Sequence, residues 1–410
     1  MLQTNRTLMK QKLGMTRRAG LGLFAAAPLM LGRNFTDDIT VGALLSLTGS
    51  WSTLGLTSQA LLQTAVGEIN TFFGSIGSPG RIRLQVEDTR LDPATCVNSL
   101  RVLAGSGARL VIGPQSSAEA AAIRLKLEDS KMIAISQGST ASSLSLPGDN
   151  LFRFVPDDSV EAQAVVAMAL AGGIQTIVPC WRADAGNQGL AASVRRLFTA
   201  AGGKVTAGVE YSTDSPVFAD VVKELAAEVS TGPSGKTAVY LAAFDEVVDL
   251  FRGAVALPAL QAVPWYGSDG VALSAALASD SIAAAFAVKT GYANPTLLRP
   301  DAARAKWEPL VAPTVAATGL EPDAFGLAAY DAFWCGMMAR LLSGSNQVAE
   351  WKQYLSLNAS MFFGTTGWAQ LNANGDRAQG DYEFWALRSV NGSPKWTSVA
   401  TWQSGVFALR

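Results

Sequence analysis

Four apolar runs between Asp38 and Thr140, each closing on a small or hydroxylated loop, set most of what this chain can become. They are ITVGALLSLTG, IRLQVEDT, ARLVIGPQSS and KMIAISQGST. Helical spacing fills the gaps between them. Leu56–Phe73 places apolar residues at threes and fours, Asp92-Pro93 opens a second helix, and Ala118–Leu127 forms a third. A strand–helix rhythm of this kind predicts a parallel sheet with helices on both faces. In such sheets the loops at the carboxyl ends of the strands line the ligand crevice. Two of these loops expose serines, glycines and a threonine with no base or metal ligand beside them, which favours holding a small polar molecule over transforming it.

The rhythm restarts after Phe152–Pro156. Helices are expected over Ser159–Leu170, Gly189–Ala200, Phe218–Val229 and Glu246–Val255. Strands are expected at Gln175–Pro179, Val205–Val209, Ala238–Ala242 and Pro264–Tyr266. Phe286–Lys289 reads as a crossover strand, Pro300–Ala317, Pro322–Leu342 and Val348–Ser356 as helices, and Asp381–Leu387 as a late strand. With 410 residues, two α/β units of similar size fit the chain.

Charge is nearly balanced, 32 basic against 33 acidic residues, so no basic footprint points to nucleic acid. The chain contains no histidine. That removes the Ser-His-Asp triad, the Cys-His pair and every histidine-bearing zinc site, and shifts the balance from enzyme to binder. No Gly-x-Ser-x-Gly elbow surrounds Ser116 or Ser139, and neither a P-loop nor a dinucleotide fingerprint follows the first strand. Neither a cofactor nor a metal is expected. Cys96, Cys180 and Cys335 are too scattered for a disulfide framework, although one bridge is arithmetically open; Cys335 is expected in the core. Met1–Arg18 is basic without an acid, and Ala19–Leu31 is apolar or small throughout. This reads as an export signal, with Arg17-Arg18 loosely like a twin-arginine motif, and as too short for an ordinary membrane span. The mature start is expected between Ala27 and Asp37.

Taken in order, several short pieces resemble the periplasmic solute-binding proteins of branched-chain amino acid transport. They are Gly42–Gly49, Glu87-Asp88-Thr89 with Asp92-Pro93, Val111–Pro114 with Ser116-Ser117, Ile135–Thr140, Gly267–Gly270, Ala329–Ala332, and Phe363-Gly364 with Gly367. The resemblance implies two doubly wound α/β lobes joined by three crossover strands, with ligand closed between them. It places residues 1–36 in the export segment, 37–155 plus 290–384 in the first lobe, and 156–289 plus 385–410 in the second. It implies a periplasmic monomer that hands a small amino acid or related carboxylate to the membrane permease of an ABC importer.

The resemblance also carries site residues. Ser117, with Ser116 beside it, would hold a ligand carboxylate; a loop entering a helix presents free amides to an anion, and either serine could equally cap that helix. Gly138-Ser139-Thr140 would take the ligand's ammonium and assist the carboxylate. Asp269, followed by Gly270, would pair with the ammonium on closure, since a buried carboxylate needs a partner. The family more usually carries glutamate there, and often tyrosine where this chain has Phe244. Trp51, Trp181 and Phe244 would cover an apolar or aromatic side chain. Asp184 either caps the next helix or touches the ligand. A drifted pocket for an aromatic acid, urea or a short amide remains the alternative, because those ligands need no charged Asp269.

Overall fold

The computed structural model describes residues 37–213 and 218–410, so the expected export segment lies outside the described residues. Strands β1 (Ile39–Leu45), β2 (Ile82–Asp88), β3 (Leu110–Ile112), β4 (Ile133–Ser136) and β5 (Leu151–Arg153) form one sheet in the order β2-β1-β3-β4-β5. Every pairing in it is parallel. β3 and β4 are buried throughout, and so is most of β1; helices cover both faces of the sheet, which is why these strands read as unbroken apolar runs.

A second sheet follows. It contains β6 (Thr176–Arg182), β7 (Lys204–Val205), β8 (Val209–Tyr211), β9 (Thr237–Ala242), β10 (Trp265–Gly267) and β11 (Ala293–Leu297). After the short hairpin β12 (Phe363–Gly364) and β13 (Gly367–Trp368), the chain adds β14 (Tyr382–Val390), β15 (Ser393–Gln403) and β16 (Val406–Leu409) to it. The order is β16-β15-β14-β11-β10-β9-β6-β7, with β8 also on β6, nine strands in all. β6 to β11 are parallel, and β14 to β16 are antiparallel additions.

The chain passes between the two sheets three times: after β5, after β11 and before β14. Helices Arg304–Thr318 and Ala324–Ser343 return to pack on helix Ser52–Ser75 of the smaller sheet. Because β11 and β14 both pair within the larger sheet, its outline runs to Leu297 and resumes at Tyr382. Phe286–Lys289 is not a strand: it lies inside helix Ser281–Thr290, and the crossover strand is β11. The alanine-rich apolar run suits either element, and burial of Ala283, Ala284, Phe286 and Ala287 on one side settles it as helix. Val205–Val209 likewise separates into β7 and β8.

Helix starts are chemically marked. The Asp92 carboxylate accepts from the Thr95 N–H with Pro93 in the first turn, Asp184 accepts from Gly186 and Asn187, and Asp323 from Gly326. All three cysteines are free and buried. Among the described residues no helix is long and apolar enough to cross a membrane.

Candidate functional site

The parallel order of the smaller sheet brings the loops after β1, β3 and β4 to one edge. Gln115 ties them together: its Oε1 accepts the Ser46 N–H at 2.7 Å and its Nε2 donates to the Trp51 carbonyl at 3.2 Å. Ser136 Oγ donates to the Pro114 carbonyl at 2.6 Å and accepts the Ser139 N–H at 2.9 Å. Ser117 Oγ lies 3.1 Å from Ser139 Oγ and accepts the Ala141 N–H at 3.1 Å. From beneath, Arg153 Nη1 donates to the Ala141 carbonyl at 2.7 Å while its Nε pairs with Asp376 at 2.5 Å, both side chains fully buried. The Ser139–Ala141 loop is therefore held in place before any ligand arrives.

Gly138 sits where a side chain has no room. A Cβ there would lie 2.8 Å from the Gln115 carbonyl and 3.1 Å from the Trp51 ring. Ser116 is occupied by its helix: its Oγ donates to Glu119 Oε2 at 2.6 Å, and Glu119 returns its N–H to that Oγ at 3.3 Å. This is a complete capping box, so the Ser116 hydroxyl serves the helix rather than presenting a free group to the cleft.

Across the cleft, the ends of β9 and β10 supply Phe244, Asp269 and Gly270. The Trp51 and Phe244 rings meet at 4.7 Å between centroids, tilted by 34°. Gly270 lies beneath Phe244; a Cβ on it would fall 2.7 Å from that ring and 2.6 Å from the Ala243 carbonyl. The Asp269 N–H donates to Glu161 Oε1 at 3.1 Å, which sets these two acidic residues side by side. Burial pushes Asp269 up to about 7 and holds Glu161 well above the usual carboxylate range, with repulsion from Asp269 and Asp158 added. Asp158 follows the same pattern: burial raises it to about 7, against support from the Thr140 side chain. Its N–H donates to the Thr140 carbonyl at 2.8 Å, and its Oδ2 accepts the Ser142 N–H at 3.3 Å. Thr140 therefore joins the serine loops of one sheet to the buried Asp158 beside the other.

Trp181 does not join this group. Its Nε1 donates to Glu210 Oε1 at 3.1 Å, and its ring lies over Gly208 at the sheet's far edge. Strand alternation turns the next residue, Arg182, to the cleft instead. Its guanidinium lies 5.2 Å from the Phe244 centroid and pairs with Asp184 at 2.8 Å and Glu246 at 3.4 Å. Asp184 is thus a helix cap with an arginine partner.

The two sides already touch. The Trp51 N–H donates to Asp245 Oδ2 at 2.7 Å, Ser50 Oγ to Glu246 Oε2 at 3.3 Å, and the Ala275 N–H to Thr53 Oγ1 at 3.3 Å. Asp158, Glu161, Arg182, Asp245 and Glu246 were not flagged by sequence. Asp158 and Glu161 resemble ordinary first-turn acids, which are usually exposed and suit the helix dipole. Arg182 had one usable signal, its alternation with Trp181. Among the described residues no three histidine, cysteine, aspartate or glutamate side chains are disposed to hold a metal ion.

Comparison with known proteins agrees with this architecture. An uncharacterized protein of Methanocaldococcus jannaschii is 27% identical over 384 residues, covering 89% of this chain and 90% of that one. A leucine binding protein, LivK, from Thermotoga maritima superposes with a TM-score of 0.73 at 21% identity, covering 89% of this chain and 99% of its own. A solute binding protein of an ABC transporter from R. palustris, in complex with benzoate, superposes at 0.69 and 19% identity, covering 88% and 96%. With residues 62–389 matching the receptor family ligand binding region, the chain belongs to that family and carries it on the type 1 periplasmic-binding fold.

Proposed function

We propose that this chain is an extracytoplasmic receptor of an ABC importer, closing two lobes on a small amino acid with an apolar or aromatic side chain. The fold and family are those of ligand-binding proteins, not enzymes. The observation that carries the reading is the polarity of the cleft. Hydroxyls and amides of Ser117, Ser139 and Thr140 stand on one side, the buried Asp269 carboxyl on the other, and the Trp51–Phe244 pair beside them. An α-carboxylate suits the hydroxyl and amide side, and an α-ammonium suits Asp269. The aromatic pair suits an apolar side chain, and Gly138 and Gly270 let those two rings settle onto the backbone. Ser116 and Trp181 drop out of the ligand set for the reasons given above. The two sheets are the cores of the two lobes, and the export-like amino terminus fits delivery to a membrane permease from the periplasm as a monomer.

A second reading has one specific support. Phe244 brings no hydroxyl, and a fold neighbour is described in complex with benzoate, so an aromatic acid, urea or a short amide fits the same cleft with Asp269 kept protonated. A melting-shift panel separates the two. Bound ligand at a hundredfold its Kd adds about 2.7 kcal/mol to the folded state. Stabilisation by one group of apolar or aromatic L-amino acids is expected. Stabilisation only by amine-free acids, urea or amides would replace the first reading with the second. No response from protein shown by mass spectrometry to be ligand-free would refute both.

A further inference from the structure

Trp51 stands in a backbone conformation that its side chain does not favour. At φ 59° and ψ 25° it is left-handed, a region that bulky residues rarely occupy. The helix that starts after it does not explain this, because Trp51 supplies no side-chain cap. Such a geometry persists only where the surroundings over-determine it. Here both ends of the residue are gripped, and from opposite sides of the cleft. The carbonyl accepts from Gln115 Nε2 at 3.2 Å, and the N–H donates to Asp245 Oδ2 at 2.7 Å.

Each grip is itself held. Gln115 is fully buried, and its Oε1 is fixed by the Ser46 N–H at 2.7 Å. Gly55, in the first turn of helix Ser52–Ser75, lets that turn close on the pair. A Cβ there would lie 1.9 Å from the Ser46 carbonyl and 2.9 Å from Gln115 Oε1. Asp245 follows Phe244 in the loop after β9. Its Oδ1 accepts from Ser274 Oγ at 2.5 Å, and Ser274 Oγ accepts the Leu277 N–H at 3.1 Å, so the carboxylate is oriented from its own side. The ring repeats the pattern of the backbone. Phe325 meets it edge-on at 5.9 Å and Gly138 leaves room for it on its own side, while Phe244 covers it at 4.7 Å from the other.

Resting on the receptor reading above, we propose that Gln115 and Asp245 are positioning residues that clamp Trp51 from the two sides, and that this clamp completes the wall at the side-chain end of the pocket only when the cleft shuts. Gln115 belongs to the loop after β3 and holds the carbonyl from the same side as Trp51 itself. Asp245 arrives with the loop after β9 and brings Phe244 onto the indole in the same movement. Released from Asp245, Trp51 keeps one of its two backbone grips and its ring loses its cover. The length of side chain that the cleft accepts is then set by two residues that need not touch the ligand.

The test is calorimetry with L-alanine, L-valine, L-leucine and L-phenylalanine, and with benzoate and 3-phenylpropionate, on proteins first shown to unfold cooperatively in urea. D245A removes the acceptor and is expected to weaken the tightest-bound probe about tenfold, the scale of one charge-assisted hydrogen bond. It should also narrow the spread of affinities across the series that binds, whereas damage to the fold alone would weaken every probe by one factor. D245N, which can turn its oxygen to the Trp51 N–H and its amide to Ser274 Oγ, should recover most of the loss. Q115M removes the other grip. Because both residues act through Trp51, the double variant should lose less than the product of the two single losses. If Q115M does not fold, the D245A and D245N pair decides alone. A D245A affinity within about twofold of the parent, a D245N loss equal to that of D245A, a uniform loss across the series, or single losses that multiply would each overturn the clamp while leaving the receptor reading intact. Binding of none of these probes by the parent protein would overturn the receptor reading and the clamp with it.

Discussion

Replacing Asp158 by Asn should make the empty protein more stable at neutral and mildly alkaline pH. Asp158 is fully buried, and burial raises its carboxyl from 3.8 to about 7. Between those values the folded chain holds a proton that the unfolded chain has released. Its contribution is therefore greatest below the unfolded value and falls as pH rises through about 7. At about 1.4 kcal/mol per pH unit the whole window sets a ceiling near 4 kcal/mol, of which about 3 kcal/mol falls between pH 5 and pH 8. Asparagine keeps an oxygen for the Ser142 N–H and titrates nowhere in this range. It also removes a charge that repels Glu161 and Asp269, so the slope left by those two should shallow as well. Urea unfolding at pH 5, 6, 7 and 8 is the assay, with stability compared only where the denaturant slope is unchanged. The parent should lose stability steadily across the series, and D158N should lose about 2–3 kcal/mol less of it. Parallel curves for the two proteins would refute the reasoning, because the carboxyl would then titrate alike in the folded and unfolded chains.

Three further outcomes are expected. D376N leaves the Arg153 guanidinium buried without its carboxylate, and should cost about 3–5 kcal/mol in denaturant unfolding; a loss within error would mean the backbone carbonyls alone satisfy the arginine. G138A forces a Cβ against the Gln115 carbonyl and the Trp51 ring, and should cost about 1–3 kcal/mol with a change in indole fluorescence; unchanged fluorescence would place the strain elsewhere. W181F removes an edge hydrogen bond to Glu210 and trims a half-buried ring packed away from the cleft, and calorimetry should find ligand affinity within about twofold of the parent; a tenfold loss would return Trp181 to the cleft.

The sheets were legible because parallel strands buried on both faces have nowhere to put a polar residue. β3 and β4 could therefore be read almost to the residue. The strand-end loops were legible for a related reason: Gly138, Ser139 and Thr140 are small or hydroxylated residues that follow an apolar run, the pattern of a strand's carboxyl end in a parallel sheet. Two kinds of information were not in the pattern. Periodicity shows that Trp181 and Arg182 face opposite ways but not which way is inward, and an aromatic is the more tempting choice for a cleft. Acids in a helix's first turn are favoured by the dipole whether exposed or buried, so Asp158 and Glu161 carried no mark of what would cover them. Their burial comes from Thr140, Gly189 and the loop at Asp269, all distant in sequence. The stretch Phe286–Lys289 failed differently, since three apolar residues in a row serve a strand or a helix equally well.

Under the proposed receptor reading, closure of this cleft is a balance in which the two sides of the site pull in opposite directions. The Trp51 N–H to Asp245, the Ser50 hydroxyl to Glu246 and the Ala275 N–H to Thr53 are contacts between the two sides that need no ligand. The Trp51–Phe244 stack adds apolar area to them. Against this, the Asp269, Glu161 and Asp158 carboxyl groups are all buried. A ligand shifts such an equilibrium only through the difference in its contacts with the open and closed forms. On that reading, a carboxylate at Ser117 and Ser139 would touch loops that are already held in place by Ser136 and Arg153, so it would gain little from closure. A cationic nitrogen would gain more on the same reading, because Asp158 meets Thr140 across the two sides. The reading therefore predicts that removing the ligand's amine weakens closure far more than it weakens first contact.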